Sequence, residues 1–480
     1  MVLTSQSTDQ TAACTEEVAY ADFHGGRAVT GPLTWGQRAM WRAVVEFEST
    51  RHSFLNLRRT LAVSRRAGVD PARAVRALAA LVGRHESLRT RVRPSDGELR
   101  QVAAAEGRLP VLVHTVPAAG ADPDGQMAAG TLAARFGDPR FDHAAEWPLR
   151  AAVVVVDGLV RQVVVVFSHS TVDFHATETV LRDLRMLLLR GAAPTPRGLQ
   201  SLDVAEREQQ VERRRSDRAV AYWLRQFPTL GVGSFAEPVA AGLTPRYRRG
   251  VLTSPAIHHA ARLLAARHRT SSSTVLLAAT AAALHASGGP EAGGGPEAKA
   301  VGRVGGGPEA VGIFTMANNR FQPEYDTAIS KLNQIGLCRV DLTGPPDFAE
   351  LLRRARQASL DGYRHAYYDP LALAQAFADH GYDYGTALAP FCYLNDIRLP
   401  HDVPSDVAGP NESTLGTAGS FHWLEELDRF AWRCRIQVMD APDAVELAVT
   451  ADTVHLPPAR AERLLRDIED RLVRAARSTP

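Results

Sequence analysis

Two valine-rich runs dominate the pattern of apolar and polar positions along the chain. They lie at residues 150–170, in the sequence RAAVVVVDGLVRQVVVVFSHS, with Asp157-Gly158 between them. An Asp-Gly pair between two apolar runs is a typical β-hairpin signal. Because apolar runs without polar alternation suit strands covered on both faces, we predict a buried hairpin here.

Apolar residues recur at helical spacing on both sides of this hairpin. A helix is predicted to begin after Asp70, with Asp70 as its N-cap and Pro71 at its first position. A second helix is predicted over 177–191, directly after the hairpin, and a charged helix over 205–227. Strands and helices mix in both halves of the chain, which predicts an α/β fold with two lobes.

Shifts in composition suggest where these lobes begin and end. We expect 1–30 to be a flexible tail, 31–195 to form the first lobe and 196–480 the second. The stretch 190–204 is rich in Pro, Gly and small residues, so it is the predicted linker. Gly-Pro-Glu-Ala occurs three times within 288–310, which predicts a flexible loop.

Composition narrows the possible functions only slightly. The chain has 480 residues, of which 45% are hydrophobic and 22% charged, and its net charge is +2. That balance favours neither nucleic acid nor a membrane surface as a partner. Four scattered cysteines without a CxxC pair argue against a zinc site or a disulfide framework. The N-terminus lacks a signal peptide, so we expect a soluble, cytoplasmic protein.

Candidate chemistry lies where the second valine run ends. His169 follows that run and Asp173 comes four residues later, just before the predicted helix. A histidine held at a strand end is a suitable general base near neutral pH. The alternative is a packed histidine followed by an aspartate that caps the helix. Spacing alone leaves both interpretations open.

The surrounding sequence resembles a known family. The stretch SHSTVDF, which contains both residues, resembles the HHxxxDG motif of condensation domains of nonribosomal peptide synthetases and related chloramphenicol-acetyltransferase-like acyltransferases. Further stretches resemble the motifs of this family in the family's order, over about residues 30–475. They are LTWGQRAMW (33–41), RHESLRT (84–90), AVAYWLRQF (219–227), TSSSTVLLAATAAALHASGG (270–289), the region from ANNRF (317–321) to CRVDL, and FCYLND (391–396).

This resemblance implies an architecture and a catalytic residue. The fold would be two acetyltransferase-like lobes, each an α/β sandwich, arranged as a V-shaped pseudo-dimer around a central active-site tunnel. His169 would lie midway along that tunnel and act as the base. Asp173 would be structural and would pair with Arg89 of RHESLRT, with Arg84 as the second choice, because a buried carboxylate needs a cationic partner.

Two positions depart from the family motif. Ser168 replaces the first histidine, and Phe174 replaces the final glycine. Replacement of the first histidine by Ser168 puts the support of the motif loop in question. Phe174 adds bulk that would narrow or redirect a substrate channel. Asn395 of FCYLND would orient the acyl group or the pantetheine arm, although an ordinary turn at a strand end explains it equally well.

The resemblance also implies a reaction. A free-standing condensation enzyme would join an acyl thioester on a carrier protein to a small amine or alcohol acceptor, forming an amide or an ester. The chain would bind no metal or cofactor of its own, because phosphopantetheine arrives on the partner carrier protein. The alternatives are an acyltransferase that uses acyl-CoA and a catalytically inactive module that recruits partners.

Overall fold

The structure is a computed structural model. It describes residues 14–46, 55–95, 97–117, 121–193, 196–287, 309–344, 346–398 and 412–478. The loop predicted at 288–310 lies outside these residues except for its last two positions.

Fifteen strands occur in the described part of the chain. In chain order they are β1 (Thr15–His24), β2 (Val29–Pro32), β3 (Asn56–Ala62), β4 (Thr90–Ser95), β5 (Glu98–Ala103), β6 (Glu106–Val116), β7 (Leu149–Val156), β8 (Leu159–Ser168), β9 (Tyr247–Ser254), β10 (Ala310–Ala317), β11 (Gln334–Asp341), β12 (Cys392–Asp396), β13 (Ser420–Leu427), β14 (Cys434–Ala441) and β15 (Ala444–Asp452).

Fourteen α-helices accompany them within the same described ranges. They are α1 (Trp35–Glu46), α2 (Pro71–Arg84), α3 (Gln126–Gly137), α4 (Phe174–Arg190), α5 (Ser201–Gln209), α6 (Arg213–Gln226), α7 (Pro255–Arg267), α8 (Ser272–Ser287), α9 (Pro323–Asp326), α10 (Phe348–Arg364), α11 (Pro370–Asp379), α12 (Tyr384–Ala387), α13 (Glu412–Leu415) and α14 (Pro458–Arg477). None of the described helices is long and apolar enough to cross a bilayer.

The chain divides into two compact units. The first contains Met1–Glu212 and Arg320–Leu332, and the second contains Arg213–Asn319 and Asn333–Pro480. The predicted boundary at 195/196 is therefore misplaced. Helix α5, which falls after that boundary, packs on β2 of the first unit, where the Leu202 side chain lies against the backbone of Gly31.

The first unit is built on two sheets. Its five-stranded sheet has the order β1-β6-β7-β8-β3, and its three-stranded sheet has the order β2-β5-β4. The pair β6 and β7 is parallel, and the other neighbours in these sheets are antiparallel. Strands β7 and β8 form the predicted hairpin, whose turn places Asp157 and Gly158 at φ of 52° and 73°.

The valine-rich hairpin is covered on both faces, as its unbroken apolar pattern predicted. Val163 and Val165 of β8 belong to the core beneath α2 and α4. Val164 points the other way, into a smaller core that it shares with Leu132 of α3. Both faces of β8 are therefore buried up to the residue that precedes His169, which makes the strand end a rigid support.

Two local predictions are wrong. The predicted tail 1–30 contains β1, which pairs along its whole length with β6, and β2, which pairs with β5. Most side chains of β1 are exposed and only Ala21 and Phe23 are buried, so the apolar pattern of the strand is faint. The helix predicted over 205–227 is two helices, α5 and α6, and α5 begins inside the predicted linker, where Gln200 and Asp203 form a capping box.

The second unit is built on one seven-stranded sheet. Its strand order is β11-β10-β12-β14-β15-β9-β13, with β12 parallel to both of its neighbours. Helices α7, α8, α10 and α14 contribute apolar side chains to the main core of this unit. Strands and helices thus mix within each unit, which confirms the predicted α/β class.

Candidate active site

The turn between β8 and α4 carries the candidate catalytic residues. Hydrogen bonding continues past the end of β8, where the amide of Ser168 donates to the Pro148 carbonyl at 3.0 Å and that of His169 to the Leu55 carbonyl at 2.8 Å. Helix α4 begins at Phe174, and the carboxylate of Asp173 caps it by accepting from the Ala176 amide at 2.9 Å. The chain is therefore fixed on both sides of this short turn.

His169 is held in one tautomer by a neighbouring carbonyl. Its Nδ1 lies 2.8 Å from the backbone oxygen of Val172. A carbonyl oxygen only accepts, so Nδ1 carries the proton and donates it. The lone pair is then on Nε2, and the half-buried imidazole can present that atom as a base.

The environment keeps His169 neutral. Burial lowers the pKa of His169 to about 4, and the positive charge of Lys331 lowers it further, against the opposing effects of the Val172 carbonyl and Asp173. An imidazole with this pKa is unprotonated at neutral pH. It can therefore accept a proton without first losing one.

Asp173 is closed in by hydrogen-bond donors. Arg320 donates from its two terminal nitrogens, one to each carboxylate oxygen, and both distances are 2.9 Å. The amide of Leu332 donates to Oδ2 at 3.0 Å, in addition to the helix-capping bond from Ala176. Both the Asp173 and the Arg320 side chains are 1% exposed.

These contacts fix the charge of Asp173. Burial by itself raises the pKa of this carboxyl, but the charge and hydrogen bonds of Arg320 outweigh burial and hold the pKa at about 2. A carboxylate that is ionised and fully bonded does not exchange protons near neutral pH. Asp173 therefore serves as an anchor for the turn and the helix.

The predicted pairing of Asp173 with Arg89 is wrong, and so is the second choice, Arg84. The guanidinium of Arg89 donates to the carbonyls of Gly25, Arg27 and Ala104. Position 25 has to be a glycine for this arrangement, since a Cβ there would overlap the Nε atom of Arg89.

The rest of the RHESLRT segment is also structural. Arg84 donates to Asp183 at 2.9 Å, and the Nε2 of His85 lies 3.1 Å from the same carboxylate. Glu86 accepts from Arg27 at 2.8 Å. These bonds tie the segment to α4 and to the N-terminal strands, so its polar residues hold the first unit together and leave Asp173 to another partner.

Arg320 and Lys331 are the residues that sequence reasoning missed. Both lie in the segment Arg320–Leu332, which returns to the first unit after a long excursion through the second. Lys331 is 3% exposed, and burial lowers its pKa to about 8 against the opposing charge of Asp173. The available signal was the resemblance of this segment to a family motif that contains an arginine.

Ser168 and Phe174, the two departures from the motif, have different surroundings. The Ser168 hydroxyl is buried and lies 2.7 Å from the hydroxyl of Ser170. The half-buried ring of Phe174 lies beneath the guanidinium of Arg59, 4.0 Å from its central carbon. An effect of Phe174 on a substrate channel stays a prediction.

Asn395 lies in the other unit. It is a half-buried residue of β12, opposite Gln437 of β14 in the register of the sheet. Its neighbour Asp396 accepts a hydrogen bond from Ser273 at 2.7 Å and ends the strand. The predicted role of Asn395 in orienting an acyl group or a pantetheine arm stays a prediction.

The described residues contain no group of three or more His, Cys, Asp or Glu side chains placed to hold a metal ion. The turn itself offers a neutral imidazole, with an anchored carboxylate and a buried ammonium nearby. This combination suits proton transfer from an attacking amine or hydroxyl.

One comparison with known proteins shows a family, and a second shows solved structures with a similar fold. The family model for the condensation domain matches residues 29–292. A structure that explains condensation-domain-mediated chain release from the enacyloxin polyketide synthase has a TM-score of 0.69 and 19% identity, covering 95% of this chain and 85% of that chain. No curated protein matches the chain.

Two further solved structures share the fold. The tallysomycin biosynthesis protein TlmII has a TM-score of 0.66 and 16% identity, covering 93% of this chain and 98% of its own. The SgcC5 protein from Streptomyces globisporus has a TM-score of 0.64 and 16% identity, with the same two coverages of 93% and 98%. At these identities the likeness shows the fold.

Proposed function

The chain belongs to the condensation-domain family, and on that premise we propose that it forms an amide or ester bond. In this proposal a small amine or alcohol attacks an acyl thioester carried on the phosphopantetheine arm of a carrier protein. Family membership supports a condensation or acyl-transfer role in nonribosomal peptide or polyketide biosynthesis. The choice of reaction, donor and acceptor is our proposal.

The observation that carries the proposal is the state of His169. Its Nδ1 donates to Val172, its pKa is about 4, and its ring is partly exposed at the end of a rigid strand. This arrangement gives Nε2 an available lone pair at neutral pH. A general base needs this combination of fixed orientation and correct protonation state.

His169 alone can accept and return the proton that this reaction transfers. The acceptor nitrogen or oxygen forms a bond to the thioester carbon while its proton passes to Nε2 of His169. The tetrahedral adduct then collapses, the carbon–sulfur bond breaks, and the sulfur leaves with the proton from Nε2 as a free thiol. The imidazole is neutral again, so one turnover consumes no metal, oxidant or nucleotide.

Asp173 and Lys331 support this chemistry without exchanging protons with substrate. Asp173 is anchored by Arg320 and the Leu332 amide, so it fixes the turn that bears His169. The charge of Lys331 opposes protonation of His169 in the resting enzyme. These effects keep His169 oriented and unprotonated, and neither Asp173 nor Lys331 takes part in bond making.

The donor separates the proposal from its closest alternative. Carrier proteins and coenzyme A present the same phosphopantetheine thioester, so the base chemistry is shared. We propose the carrier protein as the donor because the resemblance to RHESLRT and to the opening motif is of the condensation type. Recruitment of partners by an inactive module is the outcome if neither donor reacts.

The test is an acyl-transfer assay with the wild-type chain and His169→Ala. Acyl groups are loaded on a carrier protein or on coenzyme A, offered with amine and alcohol acceptors, and followed by mass spectrometry. We expect product from the carrier-bound donor, and a fall of about 10²- to 10⁴-fold in kcat/KM for His169→Ala. The matched control is His175→Ala, which removes a histidine from the first turn of α4.

The outcomes are distinct. Equal rates for wild type and His169→Ala would exclude His169 as the base. Product only from coenzyme A would replace the proposed donor with acyl-CoA, and absence of product with every donor would favour the inactive module. In the active enzyme, kcat/KM should fall on the acid side only as the pH approaches about 4, because His169 is protonated there.

A further inference from the structure

The two residues that flank His169 send their side chains to one shared partner. The hydroxyls of Ser168 and Ser170 are 2.7 Å apart. They lie 3.4 Å and 3.2 Å, respectively, from Nδ1 of His143. Both serines are buried, with exposures of 0% and 2%, and together with the half-buried His143 they form a polar cluster.

One assignment of donors and acceptors satisfies all three groups of this cluster. The Ser170 amide donates to the Ser168 hydroxyl oxygen at 3.3 Å, which leaves the Ser168 hydrogen free to point at Ser170. The Ser170 hydroxyl then donates to Nδ1 of His143. This order requires a neutral His143 with its proton on Nε2, and burial lowers the pKa of His143 to about 4.

His143 is itself held in place. Its carbonyl accepts from the amide of Val92 at 2.9 Å, and its ring meets the ring of Trp41 edge-on at 5.3 Å. The preceding Asp142 organises the loop, because its carboxylate accepts from the amides of Ala144 and Ala145 at 3.0 Å each. An imidazole fixed from several sides can position groups bonded to it.

We propose that His143 is a positioning residue for His169. The loop before β7 supplies an imidazole that holds both serines flanking the base, at a turn where the family motif has an additional histidine in place of Ser168. The same loop also contacts the turn through the main chain, since the Pro148 carbonyl accepts from the Ser168 amide. The functional part of this inference rests on the proposed role of His169 as a base.

The geometry explains why this support affects catalysis. His169 is anchored through its ring to Val172, whereas its neighbours are anchored through their hydroxyls to His143. Without the imidazole the two serine hydroxyls can bond only to each other, which leaves one hydroxyl hydrogen without an acceptor in a buried place, and we expect the turn to shift to satisfy it. A displacement of about 1 Å in a catalytic group can cost about 10²-fold in rate.

Two variants of similar size separate hydrogen bonding from packing. His143→Asn puts an amide oxygen near the position of Nδ1, so it keeps an acceptor, whereas His143→Leu fills the same space without one. We expect His143→Leu to lower kcat by about 10- to 100-fold with little change in KM, and His143→Asn to stay within about 3-fold of wild type. The control His114→Leu removes a histidine that pairs with Glu16 elsewhere in the unit.

A second readout does not depend on turnover. Diethyl pyrocarbonate modifies neutral histidines, and mass spectrometry of peptides gives the rate at His169. We expect this rate to change at least about 3-fold in His143→Leu and to return towards the wild-type value in His143→Asn. If the wild type makes no product, the proposed function fails while this measurement still tests His143.

Two results would overturn the inference. One is a His143→Leu protein that matches wild type in both kcat and His169 modification. The other is a His143→Asn protein as impaired as His143→Leu, which would leave packing as the only role. If His143→Leu folds poorly, Ser170→Ala removes the middle hydroxyl of the cluster, and we expect it to change both readouts in the same direction.

Discussion

Helix α4 carries two buried aspartates that invite comparison, Asp173 at its N-cap and Asp183 within it. Each side chain is 1% exposed and each accepts from an arginine of a distant segment. Arg320 binds Asp173 through two hydrogen bonds of 2.9 Å, and Arg84 binds Asp183 through one of the same length. Residue type and burial therefore match, and the partners differ.

The partner of Asp173 is sealed from water, whereas that of Asp183 is not. The Arg320 side chain is 1% exposed and the Arg84 side chain is 14% exposed. Asp183 also accepts from His85, whose pKa is lowered by burial so that this histidine can remain neutral. Loss of Asp173 would leave the positive charge of Arg320 buried without its carboxylate. Loss of Asp183 would leave Arg84, which has access to solvent.

Equal burial of the two aspartates does not mean that they have equal roles. Asp173 fixes the turn that bears His169, and Asp183 fixes the RHESLRT segment against α4. The hydrogen bonds of Asp173 are linked to the candidate base, and those of Asp183 are linked to the core of the first unit. Variants of the two aspartates should therefore separate effects on catalysis from effects on folding.

The largest effect is expected for Asp173→Asn. The amide cannot neutralise Arg320, so a buried cation is left uncompensated and the free energy of unfolding falls by about 3–5 kcal/mol. Activity should fall as well, because the turn loses its anchor. Urea unfolding and the transfer assay measure the two effects, with Asp138→Asn as a control on an exposed pair with Arg58. If Asp173→Asn has the same free energy of unfolding as the wild type, the buried ion pair between Asp173 and Arg320 is refuted.

The next effect is a loss of stability in acid. The pKa of Asp173 is about 2 in the folded chain and lies near the ordinary value of 3.8 in the unfolded chain. As the pH falls through this interval the unfolded state takes up the proton first, so the folded state loses about 2 kcal/mol. Above about pH 5 the contribution is complete.

His169 and His143 together give a second contribution at higher pH. Each has a pKa of about 4 when folded and near 6.5 when unfolded, so the unfolded state takes up protons first and stability is lost between these two values as the pH falls. Chemical unfolding from pH 2 to 7 should therefore show two regions. Asp173→Asn should reduce the slope of the lower region, and a variant that keeps the wild-type slope below pH 4 would contradict the assignment.

Local features of the fold were predictable because short-range chemistry determines them. The hairpin at Asp157-Gly158 depends on residues that accept positive φ, and α2 begins where Asp70 can accept from the Arg73 amide. The choice of His169 as the candidate base came from the motif resemblance, and its catalytic role stays a prediction. Strand β1 was missed because its pairing with β6 stabilises a stretch whose own apolar pattern is faint.

The partner of Asp173 was not predictable in the same way. A buried carboxylate requires a cation, but the sequence offers several arginines and does not rank them. Arg89 was chosen for its family motif, yet the carbonyls around Gly25 bind its guanidinium. Arg320 comes 147 residues after Asp173 and reaches it only because the Arg320–Leu332 segment returns to the first unit.

The smallest effect is expected for Asp183→Asn, and it tests the comparison most directly. Arg84 can turn towards water and keeps its bond to the Pro196 carbonyl, so the free energy of unfolding should fall by about 1–2 kcal/mol. Asp183 binds Arg84 and His85 of the RHESLRT segment rather than the turn that bears His169, so kcat, and the pH at which kcat/KM falls, should match the wild type. If Asp183→Asn lowers kcat as far as Asp173→Asn does, the two aspartates act through one shared effect on α4, and the special link between Asp173 and the base is lost.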